Sequence, residues 1–475
     1  MDQDQELLEK YEIEGGAAEI SIARDSSGKV SYRINERNPG EDVMKEVESI
    51  RSGYLDNPGT ETVEQYIEAH NHGKLPIPTL LYYVGRYAIG LQMIEPLMHD
   101  PRIEDISCDG PGIPVYVFIR EYGYIPTSIV FSNEEGLNSY VRRLSQFGGK
   151  QISVSSPIME ATLPDGSRLQ ASIGRYITSR GPTFSIRRFR ETPMSPVDLM
   201  DTGTADNAVM AYLWTIIESG ANIMIVGGTA SGKTTFLNAV LSFIPPDRKI
   251  VTIEDTREIN LAHQNWIAAV TRVTPGTDEN QDRKSSEISM FDLLESSLRH
   301  RPNYIILGEV RGHETFTVFQ AMSAGRFGMG TFHADDVSTF IHRLESRPIS
   351  IPRNLTASLD TIIVLKTGIE NGRLKRYVGE VAEIVGIDSG SGDIVTNSIF
   401  RFENGSYTYS GYSYVFRRIS AREGTEEKSL VQNMMLRKAV LQKMSEMGIS
   451  RFQEVFEFFS LYSRDPSRAL KILGL

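Results

Sequence analysis

The segment Asn222–Thr235, NIMIVGGTASGKTT, combines an apolar run, a glycine-rich loop and the start of a helix. Gly227, four further residues and the Gly-Lys-Thr of 232–234 match the pattern G-x-x-x-x-G-K-[ST]. The apolar run predicts a buried β-strand, and the residues after the loop predict a helix. Such glycines let the backbone wrap around a phosphate, while the helix presents unpaired N–H groups and its positive dipole end. The segment therefore predicts a phosphate-binding loop.

Individual roles follow from the positions within this pattern. Lys233 is predicted to reach the β- and γ-phosphates of ATP, and Thr234 to hold Mg²⁺ through its hydroxyl. A chance glycine-rich turn is the alternative, but strand, loop and helix all agree with the pattern. The candidate nucleotide-binding residues are Gly228, Thr229, Ala230, Ser231, Gly232, Lys233, Thr234 and Thr235.

Charge and cysteine content limit the class of protein. The 475-residue chain carries a net charge of −11 and has no basic tail, so nucleic acid is not an expected partner. The single cysteine, Cys108, excludes an intramolecular disulfide and a multi-cysteine site, so no zinc is expected. A reducing, cytoplasmic setting fits this cysteine usage. The most apolar window, residues 79–98, is interrupted by polar and charged residues, so no membrane span is predicted.

Changes in sequence pattern divide the chain into five segments. Alternating apolar residues at 18–34 predict a hairpin within an otherwise weakly patterned, partly flexible leader. A mixture of helical and strand patterns follows, and then a proline-bearing connector leads into strands that alternate with helices. That alternation is typical of an α/β domain with a mainly parallel sheet. The predicted segments are a leader at 1–58, an α+β domain at 59–190, a linker at 191–205, an α/β P-loop domain at 206–390 and a strand and helical extension at 391–475.

The extension contains a long amphipathic helix at 426–447. Apolar residues such as Leu430 and Met434 alternate there with basic ones. Its moderate basicity favours a helix that packs on the core, and a contact with the membrane surface is the alternative.

Polar side chains end three predicted strands of the α/β domain. Glu254 follows KIVTI, Glu309 follows YIILG, and His333 follows MGTF. Parallel sheets gather chemistry at the carboxyl ends of their strands, and ATP hydrolysis needs a carboxylate for water, Mg²⁺ and positive charge. Glu309 is the predicted general base, Glu254 the predicted partner of Mg²⁺ or its water, and His333 the predicted sensor of the γ-phosphate. Each residue alone has an ordinary interpretation as a solvated carboxylate or a hydrogen-bonded histidine, but their order favours catalysis.

Four motifs in this order resemble those of a known family. They are GGTASGKTT at 227–235, TIEDTREI at 252–259, LRHRPNYIILGEVRGHE at 298–314 and GMGTFHADD at 328–336. The chain resembles the ATPases of type II and type IV secretion and type IV pilus-like systems, especially the archaeal branch that drives secretion pili or the archaellum. The segments IEDISCDGPGIPVYVF, LPDGSR and FSIRRF are similar to the membrane-proximal domain of that family, so the likeness spans about residues 80–390.

The resemblance implies an architecture and an activity. It implies an α/β chain with a RecA-like P-loop ATPase domain, a PAS-like N-terminal α+β domain and a helical C-terminal tail. It implies hydrolysis of ATP with Mg²⁺ in a homo-oligomeric ring, usually a hexamer, with nucleotide held between the two domains. It also implies a cytoplasmic motor, held at the inner face of the cell membrane by an integral membrane platform protein, that drives filament assembly or protein secretion.

The resemblance further implies that arginines of the N-terminal domain complete the site. Arg168, Arg187 and Arg188 occupy the matching positions in LPDGSR and FSIRRF. Guanidinium groups bind phosphates bidentately, so three of them close in space would form a phosphate clamp. A basic patch on a β-surface and a nucleic-acid contact are the alternatives.

The chain also departs from the family pattern. Residues 324–326, Ala-Gly-Arg, stand where many relatives carry Thr-Gly-His, so one family histidine is missing and more of its role falls to His333. Gly312 follows Arg311 where bacterial relatives often carry Asp, and the bacterial four-cysteine zinc element is absent. These departures favour the archaeal branch.

Other functions share parts of this sequence pattern. A conjugation-type nucleic-acid translocase has the same fold and loop, and the acidic net charge argues against it. A nucleotide-gated scaffold with little turnover is the second alternative, and the intact Glu309 and Glu254 argue against that one. A small-molecule kinase is disfavoured because the sequence contains no recognisable acceptor site.

Overall fold

The computed structural model separates into two compact units, residues 1–190 and 191–475. It describes residues 6–13, 18–36, 41–56, 63–70, 77–84, 86, 90–189, 192–271, 288–312, 314–370 and 373–475. Each unit is built on its own nine-stranded sheet and carries its own helices. The α/β class predicted from the sequence is confirmed by this architecture.

The first unit is an α+β fold. Its elements are β1 (Glu6–Glu12), β2 (Ala18–Arg24), β3 (Val30–Glu36), α1 (Glu41–Asp56), α2 (Val63–His70), α3 (Ile77–Val84), α4 (Glu95–Met98), β4 (Ile103–Cys108), β5 (Pro114–Ile119), β6 (Gly123–Val130), α5 (Glu134–Phe147), β7 (Ile158–Thr162), β8 (Arg168–Ser172) and β9 (Thr183–Arg187). The strand order is β1-β2-β3-β6-β5-β4-β9-β8-β7. Alternating residues of β5, Val115, Val117 and Ile119, are fully buried, which is the pattern of a strand with one face on a core.

The predicted leader at 1–58 shares the sheet of the first unit wherever it is described. β1, β2 and β3 form an antiparallel meander, and Tyr32 of β3 pairs with Thr127 of β6. The hydroxyls of Tyr11 and Tyr32 donate to Oδ2 of the fully buried Asp100 at 2.6 and 2.8 Å. Buried polar groups need such partners, so these bonds join the strands to the rest of the unit. Residues 1–5, 14–17, 37–40 and 57–58 of the leader lie outside the described residues.

The second unit contains the glycine loop and a mixed sheet, which is parallel in one part and antiparallel in the other. Its elements are α6 (Pro196–Asp201), α7 (Asn207–Glu218), β10 (Ile223–Gly227), α8 (Lys233–Val240), β11 (Ile250–Glu254), β12 (Trp266–Val270), α9 (Met290–Arg299), β13 (Tyr304–Leu307), α10 (Glu314–Ser323), β14 (Phe327–Phe332), α11 (Val337–Glu345), α12 (Arg353–Thr356), β15 (Thr361–Glu370), β16 (Arg373–Ile387), β17 (Ile394–Glu403), β18 (Ser406–Tyr409), α13 (Tyr414–Glu423), α14 (Glu427–Glu446), α15 (Phe452–Arg464) and α16 (Pro466–Leu473). The strand order is β12-β11-β13-β14-β10-β15-β16-β17-β18. Pairing is parallel from β12 to β15 and antiparallel from β15 to β18.

Two predicted segments are continuous with the P-loop domain. The linker at 191–205 contains α6, whose first turn is closed by a capping box between Ser195 and Asp198. The boundary at 390 falls in the turn between β16 and β17, which pair in the same sheet. The fully buried Glu383 of β16 accepts hydrogen bonds from Tyr212 Oη of α7 at 2.6 Å and Tyr414 N of α13 at 2.8 Å. The extension therefore closes the core of the second unit.

The long helix of the extension packs on this core. Its residues Leu430 and Met434 are buried, and Arg437 forms an ion pair with Glu218 of α7 while covering the ring of Trp214. This is the arrangement expected of a packing helix, which was favoured over a membrane-surface helix. Among the described residues, no helix combines the length and apolar character needed to cross a membrane.

The tyrosine bonds to Asp100 give the first prediction. Burial and the Asp100 charge raise the pKa of Tyr32, so its hydroxyl remains a donor. Tyr32→Phe removes this donor from a buried acceptor, at a cost of about 1–2 kcal/mol. We expect amide hydrogen exchange in β2 and β3 to become about five- to thirty-fold faster, measured by mass spectrometry on the full chain. The exposed Tyr124→Phe is the control. Equal exchange in both variants would show that the bond does not hold these strands.

Candidate functional site

Four neighbouring parallel strands of the second unit end at one edge of the sheet. In the order β11, β13, β14 and β10, they end at Glu254, just before Glu309, just before His333, and at the glycine loop. Neighbouring strands lie about 4.8 Å apart, so each strand end is next to the following one. The structure therefore brings together these three residues and the loop, whose chemical roles remain predictions.

The glycine loop has the geometry of an anion cradle. α8 begins at Lys233, directly after Gly232, whose φ of 87° lies in the left-handed region that favours glycine. The first turn of a helix leaves its N–H groups without intrahelical partners and carries the positive end of the dipole. The loop from Gly228 to Thr235 therefore directs donors and positive potential to the space in front of α8.

Lys233 lies over the loop itself. Its Nζ donates to the carbonyl oxygens of Gly227 at 3.0 Å and Gly228 at 2.8 Å. These bonds keep the ammonium group beside the glycine loop. The lysine is thus held at the site by neutral carbonyl oxygens, which are weaker partners for a cation than a phosphate is.

Glu254 is a buried carboxylate with one satisfied oxygen. It is 2% exposed, and its Oε1 accepts hydrogen bonds from the backbone N–H groups of Glu258 and Ile259, both at 2.9 Å. Its Oε2 is buried and has no hydrogen-bond partner among the described residues. Burial raises the pKa of Glu254 to about 7, although the two backbone bonds act to lower it. The first oxygen has a structural role in closing the following turn, and the second remains available to a cation.

The residues at this edge fit a magnesium ion. Mg²⁺ prefers hard oxygen ligands and is usually held by one or two protein oxygens together with phosphates and water. The unpartnered Oε2 of Glu254 and the hydroxyl of Thr234, in the first turn of α8, are such oxygens. Both residues had been predicted from the sequence for this purpose.

Glu309 is half-buried and anionic. Burial raises the pKa of its carboxyl, but the hydrogen bond and charge of Arg311, with the charges of Lys233 and His333, lower it more strongly, so the net pKa lies below the ordinary value. Arg311 Nη2 donates to Glu309 Oε2 in an ion pair. At neutral pH this carboxylate is therefore charged and held in one orientation by its neighbour.

His333 connects the end of β14 to the glycine loop. Its Nε2 lies 3.0 Å from Oγ1 of Thr229, and its backbone oxygen accepts a hydrogen bond from Arg343 Nη1 at 2.7 Å. The imidazole is exposed. It is thus hydrogen-bonded to the loop itself, as a residue that senses the phosphate site requires.

Two of the predicted arginines of the first unit are neighbours. Arg168 of β8 and Arg187 of β9 pair directly across the sheet, and both are exposed. Arg168 Nη2 forms an ion pair with Glu160 at 3.5 Å, an exposed pair that contributes little to stability. The two guanidinium groups therefore share one exposed face and are available to an anion.

Arg188 does not join this pair, which corrects the expected three-arginine cluster. Its Nη1 donates to the backbone oxygens of Leu97 at 3.0 Å and Asp100 at 3.1 Å. Successive residues of an extended chain point to opposite faces, so Arg187 and Arg188 are directed apart. In this structure Arg188 stabilises the segment before β4 through these two hydrogen bonds.

Sequence reasoning missed Arg376 of β16. Its Nε donates to the carbonyl oxygen of Ala230 at 2.9 Å, and its Cδ would lie 3.3 Å from a Cβ added to Gly232. A cation therefore lies against the outer side of the glycine loop. The sequence feature that could have indicated it is the apolar run at 361–365. This run predicts one more buried strand, followed by an antiparallel strand that would carry Arg376.

Comparison with known proteins identifies the family. The model of the family described as "Type II/IV secretion system protein" matches residues 88–371. The chain belongs to this family. The resemblance that the four motifs indicated is thereby confirmed.

Two relatives found by sequence and one solved structure illustrate what this type II/IV secretion system protein is similar to. The uncharacterized protein MJ0900 of Methanocaldococcus jannaschii is 36% identical over 387 residues, which cover 80% of this chain and 68% of that protein. The probable conjugal transfer protein TrbB of Sinorhizobium fredii is 29% identical over 52% of this chain and 74% of its own length. The solved structure of the ATPase DotB of Yersinia pseudotuberculosis aligns over 78% of this chain and 93% of its own, with 16% identity and a TM-score of 0.46.

The buried Glu254 makes the stability of the second unit of this secretion-family protein depend on pH. Its folded-state pKa is raised to about 7 by burial, so the stability that it contributes is present below the unfolded pKa and is lost as pH rises through about 7. Glu254→Gln is neutral at every pH. Between about pH 5.5 and about pH 8 we expect the free energy of unfolding of the wild-type chain to fall by about 1–2 kcal/mol relative to that of this variant.

Urea unfolding followed by tryptophan fluorescence measures this difference. Both tryptophans of the chain, Trp214 and Trp266, lie in the second unit, so the signal reports that unit. The exposed Glu295→Gln on α9 is the matched control and should follow the wild-type profile. Parallel pH profiles for Glu254→Gln and the wild-type chain would contradict the raised pKa.

Proposed function

We propose that this chain is an ATPase that hydrolyses ATP with Mg²⁺ at the glycine loop and drives a secretion or filament-assembly machine. The observation that carries the proposal is the shared edge of β11, β13, β14 and β10, where two carboxylates and a histidine adjoin the loop. Membership of the type II/IV secretion family supports both the activity and the membrane-associated setting.

Binding of the triphosphate would exchange the partners of Lys233. Its Nζ would leave the carbonyl oxygens of Gly227 and Gly228 for the β- and γ-phosphates, which are stronger, charged acceptors. The N–H groups of the loop and of the first turn of α8 would hold the remaining phosphate oxygens. These groups stabilise charge that grows on the phosphates as the terminal bond breaks.

Glu309 is the proposed general base. Its lowered pKa keeps it anionic at neutral pH, so it can accept a hydrogen bond from the attacking water and orient it toward the γ-phosphorus. Arg311 fixes the carboxylate, and His333 lies between this group and the loop, where it can donate to a γ-phosphate oxygen. Thr234 and Glu254 would hold Mg²⁺, which would neutralise phosphate charge when bound.

Membership of the family supports a mechanical role for the hydrolysis. We propose a homo-oligomeric ring, with the hexamer as the expected form, attached to the inner face of the cell membrane through an integral membrane platform protein. Secretion, pilus assembly and archaellum rotation are the candidate outputs. Copurification with a multi-span membrane protein encoded beside prepilin-like genes would support this class of machine.

A nucleic-acid translocase is the second candidate function. The likeness to the probable conjugal transfer protein TrbB favours it, and the net charge of −11 disfavours it. Hydrolysis that increases several-fold with single- or double-stranded DNA would support translocation. Hydrolysis that is unchanged by DNA and increased by lipid vesicles carrying the platform protein would support the motor. If no steady-state phosphate release is detected, the result would instead support a nucleotide-gated scaffold.

Substitutions at the loop and at Glu309 test the catalytic assignment. Lys233→Ala removes the main cation for the phosphates and should abolish turnover. Glu309→Gln should keep nucleotide binding and lose at least about tenfold in turnover, which is about 1.4 kcal/mol of barrier. The exposed Glu295→Gln on α9 should keep the wild-type rate. Fluorescent-nucleotide titration and phosphate release measure the two properties, and near-normal turnover in Glu309→Gln would remove that residue from its role.

The exposed arginine pair gives a separate prediction. We propose that Arg168 and Arg187 bind phosphate oxygens in the assembled protein, so Arg187→Ala should lower turnover at least about tenfold while nucleotide affinity changes little. Arg142→Ala, at an exposed position of α5, is the matched control. Arg188→Ala should instead speed hydrogen exchange near β4, because it removes bonds to backbone oxygens. Wild-type turnover in Arg187→Ala would end the clamp hypothesis.

A further inference from the structure

A basic cavity lies beside His333 in the second unit. It encloses about 340 Å³. Its lining includes the guanidinium-bearing residues Arg311, Arg343 and Arg347, and its apolar lining includes Phe332 and Ile349. Cavities of roughly 300 Å³ and more are large enough for small-molecule ligands.

The cavity is joined to the phosphate site through residues that line both. His333 lines the cavity and also contacts Thr229 of the glycine loop through Nε2 at 3.0 Å. Arg311 lines it and is the ion-pair partner of Glu309. The γ-phosphate released from a triphosphate bound at the loop would therefore lie close to this cavity.

The cavity carries uncompensated positive charge. Among the residues that the structure describes, its lining contains no aspartate or glutamate. Arg343 donates to the backbone oxygen of His333, which is a neutral acceptor. Arg347 makes no hydrogen bond or ion pair with any part of the chain that the structure describes, and its side chain is exposed. Of the three arginines, Arg311 alone has a carboxylate partner within the described part of the chain, and that carboxylate is Glu309.

This arrangement specifies a ligand chemistry. Guanidinium groups offer planar pairs of donors that match the oxygens of phosphate, and several arginines around one cavity select a multiply charged oxyanion. We propose that the cavity is a binding site for a small phosphate-class oxyanion, separate from the glycine loop. Orthophosphate would reach it from solution or from the adjoining loop after hydrolysis, and only the second source rests on the proposed function.

Direct binding tests the site without hydrolysis. The full-length Lys233→Ala protein, in which the loop has lost its main cation, is dialysed against radiolabelled orthophosphate. We expect saturable binding that Arg347→Ala in the same background weakens at least about tenfold, and that sulfate competes for. Arg347→Lys should retain part of the affinity because it keeps the charge but loses the planar donor pair.

A control variant tests whether the loss of any exposed arginine weakens orthophosphate binding. Arg417→Ala, at an exposed position of α13, removes the same charge away from the cavity and should bind orthophosphate like its parent. Absence of saturable binding in the Lys233→Ala protein, or equal binding with and without Arg347, would overturn the proposal.

A second measurement distinguishes the two sources of phosphate. In the protein with an intact loop, release of orthophosphate after one turnover is followed with a fluorescent phosphate sensor. If the cavity receives the product, Arg347→Ala should release it at least about threefold faster, and added orthophosphate should inhibit the variant less. Unchanged release together with Arg347-dependent dialysis binding assigns the cavity to phosphate from solution. A wild-type chain without turnover refutes the proposed ATPase, whereas the dialysis result still decides whether the oxyanion site exists.

Discussion

Parallel pairing of β10 with β14 and of β13 with β14 and β11 is the constraint on which the site depends. Parallel strands point their carboxyl ends the same way, so residues far apart in sequence arrive at one edge of the sheet. The packing of the buried apolar strands fixes where each strand ends, and therefore where the polar residue that follows it lies. The chemistry of this chain is thus arranged by the packing of residues that take no part in it.

Electrostatics then gives the two carboxylates different properties. Glu254 is buried, and burial raises the pKa of its carboxyl to about 7 although two backbone N–H groups donate to it. Glu309, at the end of the adjacent strand β13, has Arg311 and other cations nearby and stays ionised. The pKa values of two residues of the same type are therefore shifted in opposite directions, because one carboxyl is buried in the protein and the other lies beside cations. That division is what separate roles at one phosphate would require.

Much of this could be predicted from the sequence, because the strongest signals are local. The glycine loop, the helix after it and the strand before Glu309 each follow from a short local pattern. The joining of β1–β3 to the first sheet depends on buried contacts with Asp100, which no local pattern contains. Arg188 was grouped with Arg187 because both occupy positions that match the family's motif, yet the Arg188 side chain bonds to the backbone oxygens of Leu97 and Asp100.

The hydrogen bond from Arg376 to the Ala230 oxygen crosses from the antiparallel half of the second sheet to the glycine loop. β16 belongs to the same ribbon as β17 and β18, and its Glu383 is fastened to α7 and α13. Any shift of the loop backbone therefore strains a strand whose other end is anchored under the C-terminal helices. The segment from β16 to the end of α16, residues 373–473, is thus mechanically coupled to the loop through this guanidinium, although it contributes no residue to the row of strand ends.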